Sequence, residues 1–414
     1  MFSNNGIFKS ISKGDFKNIL SVFVIVVVLF ALFYDSKMTT NIPISDHKKK
    51  LINFDKWATY DETKVLVPTK AKSRSVMLLH GYTPFWNAGS EICAHTVNRL
   101  LVEKGHEVWV GVPGYPNRIY EGVHIFDMND RILLHKIMKH THVISTHSFR
   151  DKCKKLSRQY GSAYIDWLHG GTFTNNVRNT KYEKEGEERN FTVFNSLSLL
   201  DTFKEPERLK YHILIPPVDW REYEVAESEK KYVTLSNLNE NKGGQVLIDI
   251  AKVTPNIQFL GVRGSYWKQI EDHRQENITY IDNTPNIKEV YGQTKILIMP
   301  SKEETWGRTA VEAMSSGIPV IASPTPGLKE CCKDAALYAD PYDIQEWSRL
   351  IIRLSNDKAF YDEFSNRGKI RAKQLEPTHD LEMFQEWFEN KVVVSSSFES
   401  ANPPTLIEKF LDTI

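Results

Sequence analysis

Short unbroken apolar runs alternate along this chain with stretches whose apolar residues recur every third or fourth position. The first kind suits a strand covered on both faces, the second a helix with one buried side. Ser75 to His80 is such a run, and Glu91 to Lys104 then sets Ile92, Val97, Leu100 and Leu101 at helical spacing. Gly105 closes that helix, and His106 to Val112 is the next strand. The same alternation predicts strands at His142 to Thr146, Ala163 to Leu168, Phe191 to Asn195 and His212 to Ile215, with a basic helix from Phe149 to Tyr160. Five cations make that helix a solvated face or, alternatively, a surface for anionic lipid. Pro216-Pro217-Val218-Asp219 then stiffens the chain, as a connection between two domains does.

Beyond the prolines the pattern restarts. Strands are predicted at Tyr232 to Leu235, Ile257 to Val262, Ile278 to Ile281, Ile296 to Met299 and Val320 to Ala322. Helices are predicted at Gln245 to Lys252, Ile287 to Gln293, Arg308 to Ser316, Ile344 to Leu354, Phe360 to Gln374 and Leu381 to Val392. Strand and helix in strict turn mean parallel sheets with helical crossovers, an α/β class. No internal repeat is evident. One run differs in kind. Ile19 to Tyr34 is apolar or aromatic throughout apart from Ser21, and as a helix it would extend about 24 Å. With an interfacial residue at either end it suits a transmembrane anchor, and no small-residue cleavage site follows it. Lysines flank it on both sides and leave its orientation open.

Composition narrows the picture. A chain of 414 residues with 41% hydrophobic content can build two domains with real cores. The formal charge of +1 gives no global field for nucleic acid. Cys93, Cys153, Cys331 and Cys332 have neither disulfide nor zinc spacing. No strand is followed by the glycine fingerprint of dinucleotide-binding enzymes.

The loops after the strands carry the chemistry. In an open parallel sheet, ligands gather at the carboxyl ends of the strands, against helix N-termini whose free N–H groups suit phosphate. Glu304 lies in the loop after Ile296 to Met299, Thr305-Trp306-Gly307 leads into the next helix, and Glu312 follows on it. Glu312 also stands four positions after Arg308, where an ion pair along the helix is the plain alternative. Gly89 opens the helix after the first strand, His169 ends the strand Ala163 to Leu168, and Lys242 sits in the loop after Tyr232 to Leu235.

Pro300-Ser301, Glu304-Thr305-Trp306-Gly307, Glu312-Ala313-Met314 and Gly317-Ile318-Pro319-Val320 together resemble the signature of retaining glycosyltransferase family 4, a GT-B-fold family. The resemblance implies two facing Rossmann-like domains with a nucleotide-diphosphate sugar between them and no metal or other cofactor. It implies that Glu312 binds the ribose, Glu304 the transferred sugar, and His169 the donor sugar. Gly89, Lys242, Thr305, Trp306 and Gly307 would address the diphosphate. The family's Gly-Arg pair is replaced by Ser236-Asn237, which removes a phosphate contact at Asn237, and Arg263 is the candidate to restore the cation. Reaction is expected on the face the leaving group occupies, with a diphosphate oxygen taking the acceptor's proton.

The expected layout is a short N-terminal tail (1–18), an anchor (19–35), a stem (36–70), an acceptor domain (71–215), a nucleotide-sugar domain (216–378), a helix returning to the first domain (379–392) and a tail (393–414). The expected protein is a membrane-anchored transferase acting on a glycan, lipid or protein. An epimerase or hydrolase of the same fold, or a module that only binds nucleotide sugar, are the alternatives.

Overall fold

Parallel strands cannot be joined by a tight turn, so each must be returned by a crossover that lies on one face of its sheet. The chain does this twice, as shown by a computed structural model that describes residues 71–170, 187–226 and 230–396. The expected N-terminal tail, the anchor, the stem and the tail beyond 396 lie outside those residues. Among the described residues no helix is long and apolar enough to cross a membrane.

The first half runs β1 (Arg74–Leu78), α1 (Gly89–Glu103), β2 (Glu107–Val112), β3 (Arg118–Tyr120), β4 (Val123–Asp127), α2 (Arg131–Met138), β5 (Val143–Thr146), α3 (Arg150–Tyr160), β6 (Ala163–Leu168), β7 (Asn190–Phe194), α4 (Leu197–Leu200) and β8 (Tyr211–Ile213). Its strands lie in the order β3-β4-β2-β1-β5-β6-β7-β8. All pairs are parallel except β3 with β4.

The second half runs α5 (Trp220–Tyr223), β9 (Tyr232–Ser236), α6 (Gly244–Val253), β10 (Phe259–Val262), β11 (Ile278–Ile281), α7 (Ile287–Gln293), β12 (Thr294–Met299), α8 (Arg308–Ser315), β13 (Val320–Ala322), α9 (Pro326–Cys332), β14 (Ala336–Tyr338), α10 (Ile344–Asn356), α11 (Lys358–Gln374) and α12 (Thr378–Trp387). Its sheet is parallel throughout, in the order β11-β10-β9-β12-β13-β14.

Strand period explains how both faces of the second sheet are filled. Along β12, Ile296 and Ile298 enter a core with Trp347, Leu350 and Ile351. Leu297 and Met299 face the opposite way, into a core with Trp306, Val311 and Met314. Each sheet also has a point where the chain reverses its direction of winding. In the first, β1 is flanked by β2 and β5; in the second, β9 is flanked by β10 and β12. The loops that follow these strands diverge to opposite faces and leave a crevice at the carboxyl edge.

The structure adds elements the pattern did not predict. β3 is three half-buried residues at a sheet edge, too short to register as a run. The helix α2 is started by the Asp130 side chain, which accepts from the Leu133 amide at 2.9 Å. β14 is likewise only three residues. The predicted single helix Leu381 to Val392 begins earlier, at Thr378, and widens into looser turns over Phe388–Val392. Phe384 of α12 is fully buried, with ring centres 5.5 Å from Trp167 and 5.7 Å from His212 of the first half. Replacing it by alanine should lower the free energy of urea unfolding by about 3–5 kcal/mol, through lost burial and an unfilled cavity. A loss below about 1 kcal/mol, the scale of an ordinary surface change, would mean that α12 is not packed on the first sheet.

Candidate functional site

Lys242 and Glu304 are sixty-two residues apart in sequence and meet as an ion pair. They meet because β9 and β12 are neighbours, so the loops leaving their carboxyl ends lie side by side. Asn239 shapes the first loop by accepting from the Lys242 amide at 3.0 Å. Gly243 follows in left-handed geometry, with φ of 89° and Pro300 packed where a side chain would stand. The second loop ends at Gly307, whose φ of 140° only glycine adopts readily, and α8 begins beyond it without a side-chain cap. The Arg308 and Thr309 amides at the start of α8 therefore lack intrahelical acceptors, while the Ala310 amide donates to the Gly307 carbonyl at 2.9 Å.

Thr305 ties this loop to the first half. Its hydroxyl donates to the His169 carbonyl at 2.9 Å and accepts from Asn195 Nδ2 at 2.8 Å. Glu330 makes a second tie, its carboxylate accepting from the Leu197 and Ser198 amides at 2.9 and 2.7 Å. A third joins the Tyr266 hydroxyl, which donates to buried Glu91, with Trp86 stacked on the Tyr266 ring at 5.0 Å.

Two cavities open along the seam. One of about 350 Å³ is lined by Gly89, Ser236, Tyr223, Arg308 and Glu312, among others. The other, of about 590 Å³, is lined by Glu304, Thr305 and residues of both halves. Gly89 and Glu304 thus line different cavities. The segment Thr305-Trp306-Gly307 runs between the two lining sets, with Thr305 fastened to His169 and Asn195. Trp306 is itself a core residue, buried with Val218 and Leu328, so only its backbone is available to a ligand.

Glu312 is held from both sides. Arg308 Nε approaches Oε1 at 2.7 Å and the Tyr291 hydroxyl donates to Oε2 at 2.7 Å. The helical ion pair expected as the plain alternative is present, and Glu312 nonetheless lines the smaller cavity. Burial works against the charge on Arg308, but Glu312 and Tyr223 beside it raise its pKa overall. Its guanidinium also donates to the Pro217 carbonyl and, at 2.6 Å, to the Tyr223 hydroxyl.

Two expected donor contacts are engaged elsewhere. Arg263 is forked onto Glu271, at 2.8 and 2.7 Å, and reaches Asp282 at 2.9 Å. Asn237 has a φ of 75°, and its side-chain oxygen accepts from the Asn239 amide at 3.2 Å and side chain at 2.9 Å. Asn237 thus shapes its own loop, and neither residue lines the two cavities.

Sequence reading missed a cluster at the carboxyl edge of the first sheet. His147 follows β5 as His169 follows β6, and their rings meet edge-on at 5.5 Å. The Nε2 atoms of both are sealed from solvent, with no hydrogen-bond partner among the described residues. Glu91 lies 3.6 Å from His147 Nε2. Burial pushes the Glu91 pKa up, against hydrogen bonds from Tyr266 and Ser90. The signal that could have found His147 is the one that found His169, a histidine just past a strand end. Among the described residues no group of three or more His, Cys, Asp or Glu side chains is arranged to hold a metal ion.

Burial, and in second place a neighbouring imidazole, lowers His169 to about 3 and His147 to about 4. Folding therefore keeps both neutral. Below the ordinary value of 6.5 the unfolded chain takes up protons that the folded one refuses, so this stability is complete above pH 6.5 and lost as pH falls toward 4. His147→Gln and His169→Gln should each flatten the fall in unfolding temperature across that window. Wild-type slopes in both would contradict the burial of neutral imidazoles.

Comparison with known proteins agrees with this architecture. Residues 219–371 match the family model of the group 1 glycosyl transferases. The O-antigen chain mannosyltransferase B of Escherichia coli is 32% identical over 112 residues, 26% of this chain and 29% of that protein. The chain thus aligns with well under half the length of the curated relatives it matches. Sucrose-phosphate synthase from Thermosynechococcus elongatus superposes with a TM-score of 0.63 at 14% identity, covering 78% of this chain and 100% of that one. Anabaena HepE, solved with UDP-glucose, gives 0.59 at 15% identity over 76% and 99%. The fold is that of GT-B proteins, two sheets of parallel strands facing across a cleft.

Proposed function

We propose that this chain, whose residues 219–371 belong to the group 1 glycosyl transferases, moves a sugar from a nucleotide-diphosphate donor to a glycan, lipid or protein acceptor, with retention of configuration. The observation that carries the reading is the Lys242–Glu304 pair beside the uncapped start of α8. On this reading a cation, a carboxylate and the free amides of Arg308 and Thr309 would all address one bound diphosphate sugar.

The nucleoside occupies the smaller cavity, where Glu312 accepts hydrogen bonds from the ribose hydroxyls. The diphosphate lies along Thr305 to Gly307 and the first turn of α8, with Gly89 opposite. Its arrival draws Lys242 away from Glu304, which frees that carboxylate for hydroxyls of the transferred sugar. Charge that develops on the leaving diphosphate is then met by groups already in place, the arrangement that lowers barriers most in a sheltered site. The diphosphate oxygen released from the sugar takes the acceptor's proton, so no metal is required. His169, neutral at physiological pH, serves as a hydrogen-bond partner to the donor sugar rather than as an acid. The tether to a membrane rests on the apolar run Ile19 to Tyr34 alone.

Two variants test these assignments. Glu312→Gln keeps the shape beside buried Arg308 but loses charge-assisted bonds worth about 1.5–3 kcal/mol, so affinity for UDP or GDP in calorimetry should fall about ten- to hundredfold. Unchanged affinity for both would remove Glu312 from the nucleotide site. Lys242→Ala should lower turnover of the donor about 10²–10³-fold, as loss of one transition-state contact does elsewhere. Wild-type turnover would refute its place at the diphosphate.

A further inference from the structure

The larger cavity lies beyond Glu304 from the Glu312 end, so on the transferase reading, which this inference deepens, it is where an acceptor would enter. Both halves of the chain build it, Ser198 and Thr202 from one side and Ser301, Thr325 and Tyr342 from the other. Its volume of about 590 Å³ lies within the range of small-molecule sites. Its walls are rich in hydroxyl groups; those of Ser198, Thr202 and Ser301 donate within the protein and keep lone pairs with which to accept from a polyhydroxylated ligand. Tyr342 stands at the rim with 76% of its surface exposed. Its backbone is pinned where its amide donates to Asp340 at 2.9 Å. An exposed aromatic ring offers the apolar C–H face of a pyranose a platform.

Charge decides the class of ligand. Lys302 is the one cation among the lining residues, and it is paired with Glu240 at 2.9 Å. Glu304 is paired with Lys242. Glu303, exposed at the cavity wall, has no ion-pair partner among the described residues. The described wall therefore carries a surplus of negative charge and no free cation to receive a phosphate. Binding of the donor sharpens this, because Lys242 then turns to the diphosphate and Glu304 is left without its cation.

We propose that the cavity between Ser198–Thr202 and the Glu303, Thr325 and Tyr342 wall is the acceptor site, and that it takes an uncharged saccharide and discriminates against phosphorylated sugars. Tyr342 stacks on the sugar ring, the hydroxyl side chains exchange hydrogen bonds with it, and Glu303 repels an anionic substituent. Repulsion of a phosphate by one partly screened carboxylate amounts to about tenfold in affinity.

The test uses the full chain in detergent with UDP or GDP, whichever binds. Saturation-transfer NMR would compare methyl glycosides of glucose, mannose and galactose with the matching sugar 6-phosphates. At least one uncharged glycoside should bind, and its phosphate should bind about tenfold more weakly. Glu303→Gln should narrow that gap while leaving nucleotide affinity unchanged. Tyr342→Ala should weaken the uncharged glycoside about three- to tenfold, the scale of one ring contact. Both side chains are exposed, so neither change endangers the fold. The inference is overturned if no glycoside binds, if phosphates bind as well or better, or if Glu303→Gln leaves the gap untouched. Failure of the transferase reading looks different: no nucleoside diphosphate binds at all.

Discussion

A sheet of parallel strands has to be covered on both faces, and its crossovers deliver every loop of one kind to the same edge. That constraint governs this molecule. β9 and β12 are joined to the rest of their sheet by helices on opposite faces, so the loops after them are the pair that part at the reversal point. Lys242 and Glu304 are brought together by that geometry and by nothing nearer in sequence. In the first half the same reversal falls between β1 and β5, and it gathers Gly89, Glu91 and His147 at the facing edge. The cleft is thus fixed by strand order before any side chain is chosen.

What holds the two edges against each other is a few hydrogen bonds and one aromatic stack, Trp86 on Tyr266. Thr305 bridges to the His169 carbonyl and Asn195, Glu330 caps the start of α4, and Tyr266 reaches Glu91. Each such bond contributes on the order of 1 kcal/mol net, little beside the cores on either side. A seam of that kind can open and reclose without unfolding either half, as relative motion of domains generally requires. The apolar tie lies elsewhere, where α12 sets Phe384 against Trp167 and Trp387 against His212. A bulky contact at the back with light contacts at the mouth suits a hinge.

Much of this was legible in the sequence, for stated reasons. Buried parallel strands read as unbroken apolar runs, so β1, β2, β5, β6, β9, β10 and β12 stand out, and so do the loops after them. Glu304, Lys242 and His169 were visible because each follows such a run. β3 and β14 were not, since an edge strand of three mostly half-buried residues has no distinctive pattern, and β4, an interior strand of five residues, was missed as well. Side-chain commitments were hidden as well. Arg263 looked free to serve a phosphate, yet its partners stand eight and nineteen residues further on, on the loop and strand end that fold back beside it. Asn237 looked like a lost contact; its left-handed backbone shows instead a residue suited to a tight turn, a conformation that asparagine tolerates better than arginine. Glu91 and Tyr266 lie on different halves, so only the assembled cleft reveals them as a pair.

In the proposed site the carboxylate of the buried Arg308–Glu312 pair would serve structure and ligand together. Both side chains are more than nine-tenths buried, and such a pair is costly to form unless every charge is also hydrogen-bonded. Arg308 meets part of that demand by donating to the Pro217 carbonyl and the Tyr223 hydroxyl, while its Nε faces Glu312 at 2.7 Å as an ion pair. An ionised carboxylate offers roughly four lone-pair directions. Tyr291 takes one on Oε2, Arg308 lies against Oε1 as an ion pair, and Glu312 lines the smaller cavity. Two acceptor positions on one rigid group match the spacing of a vicinal diol. An arginine at the helix start and a tyrosine behind it hold that group still, so a ribose would meet a carboxylate with no side-chain freedom left to lose.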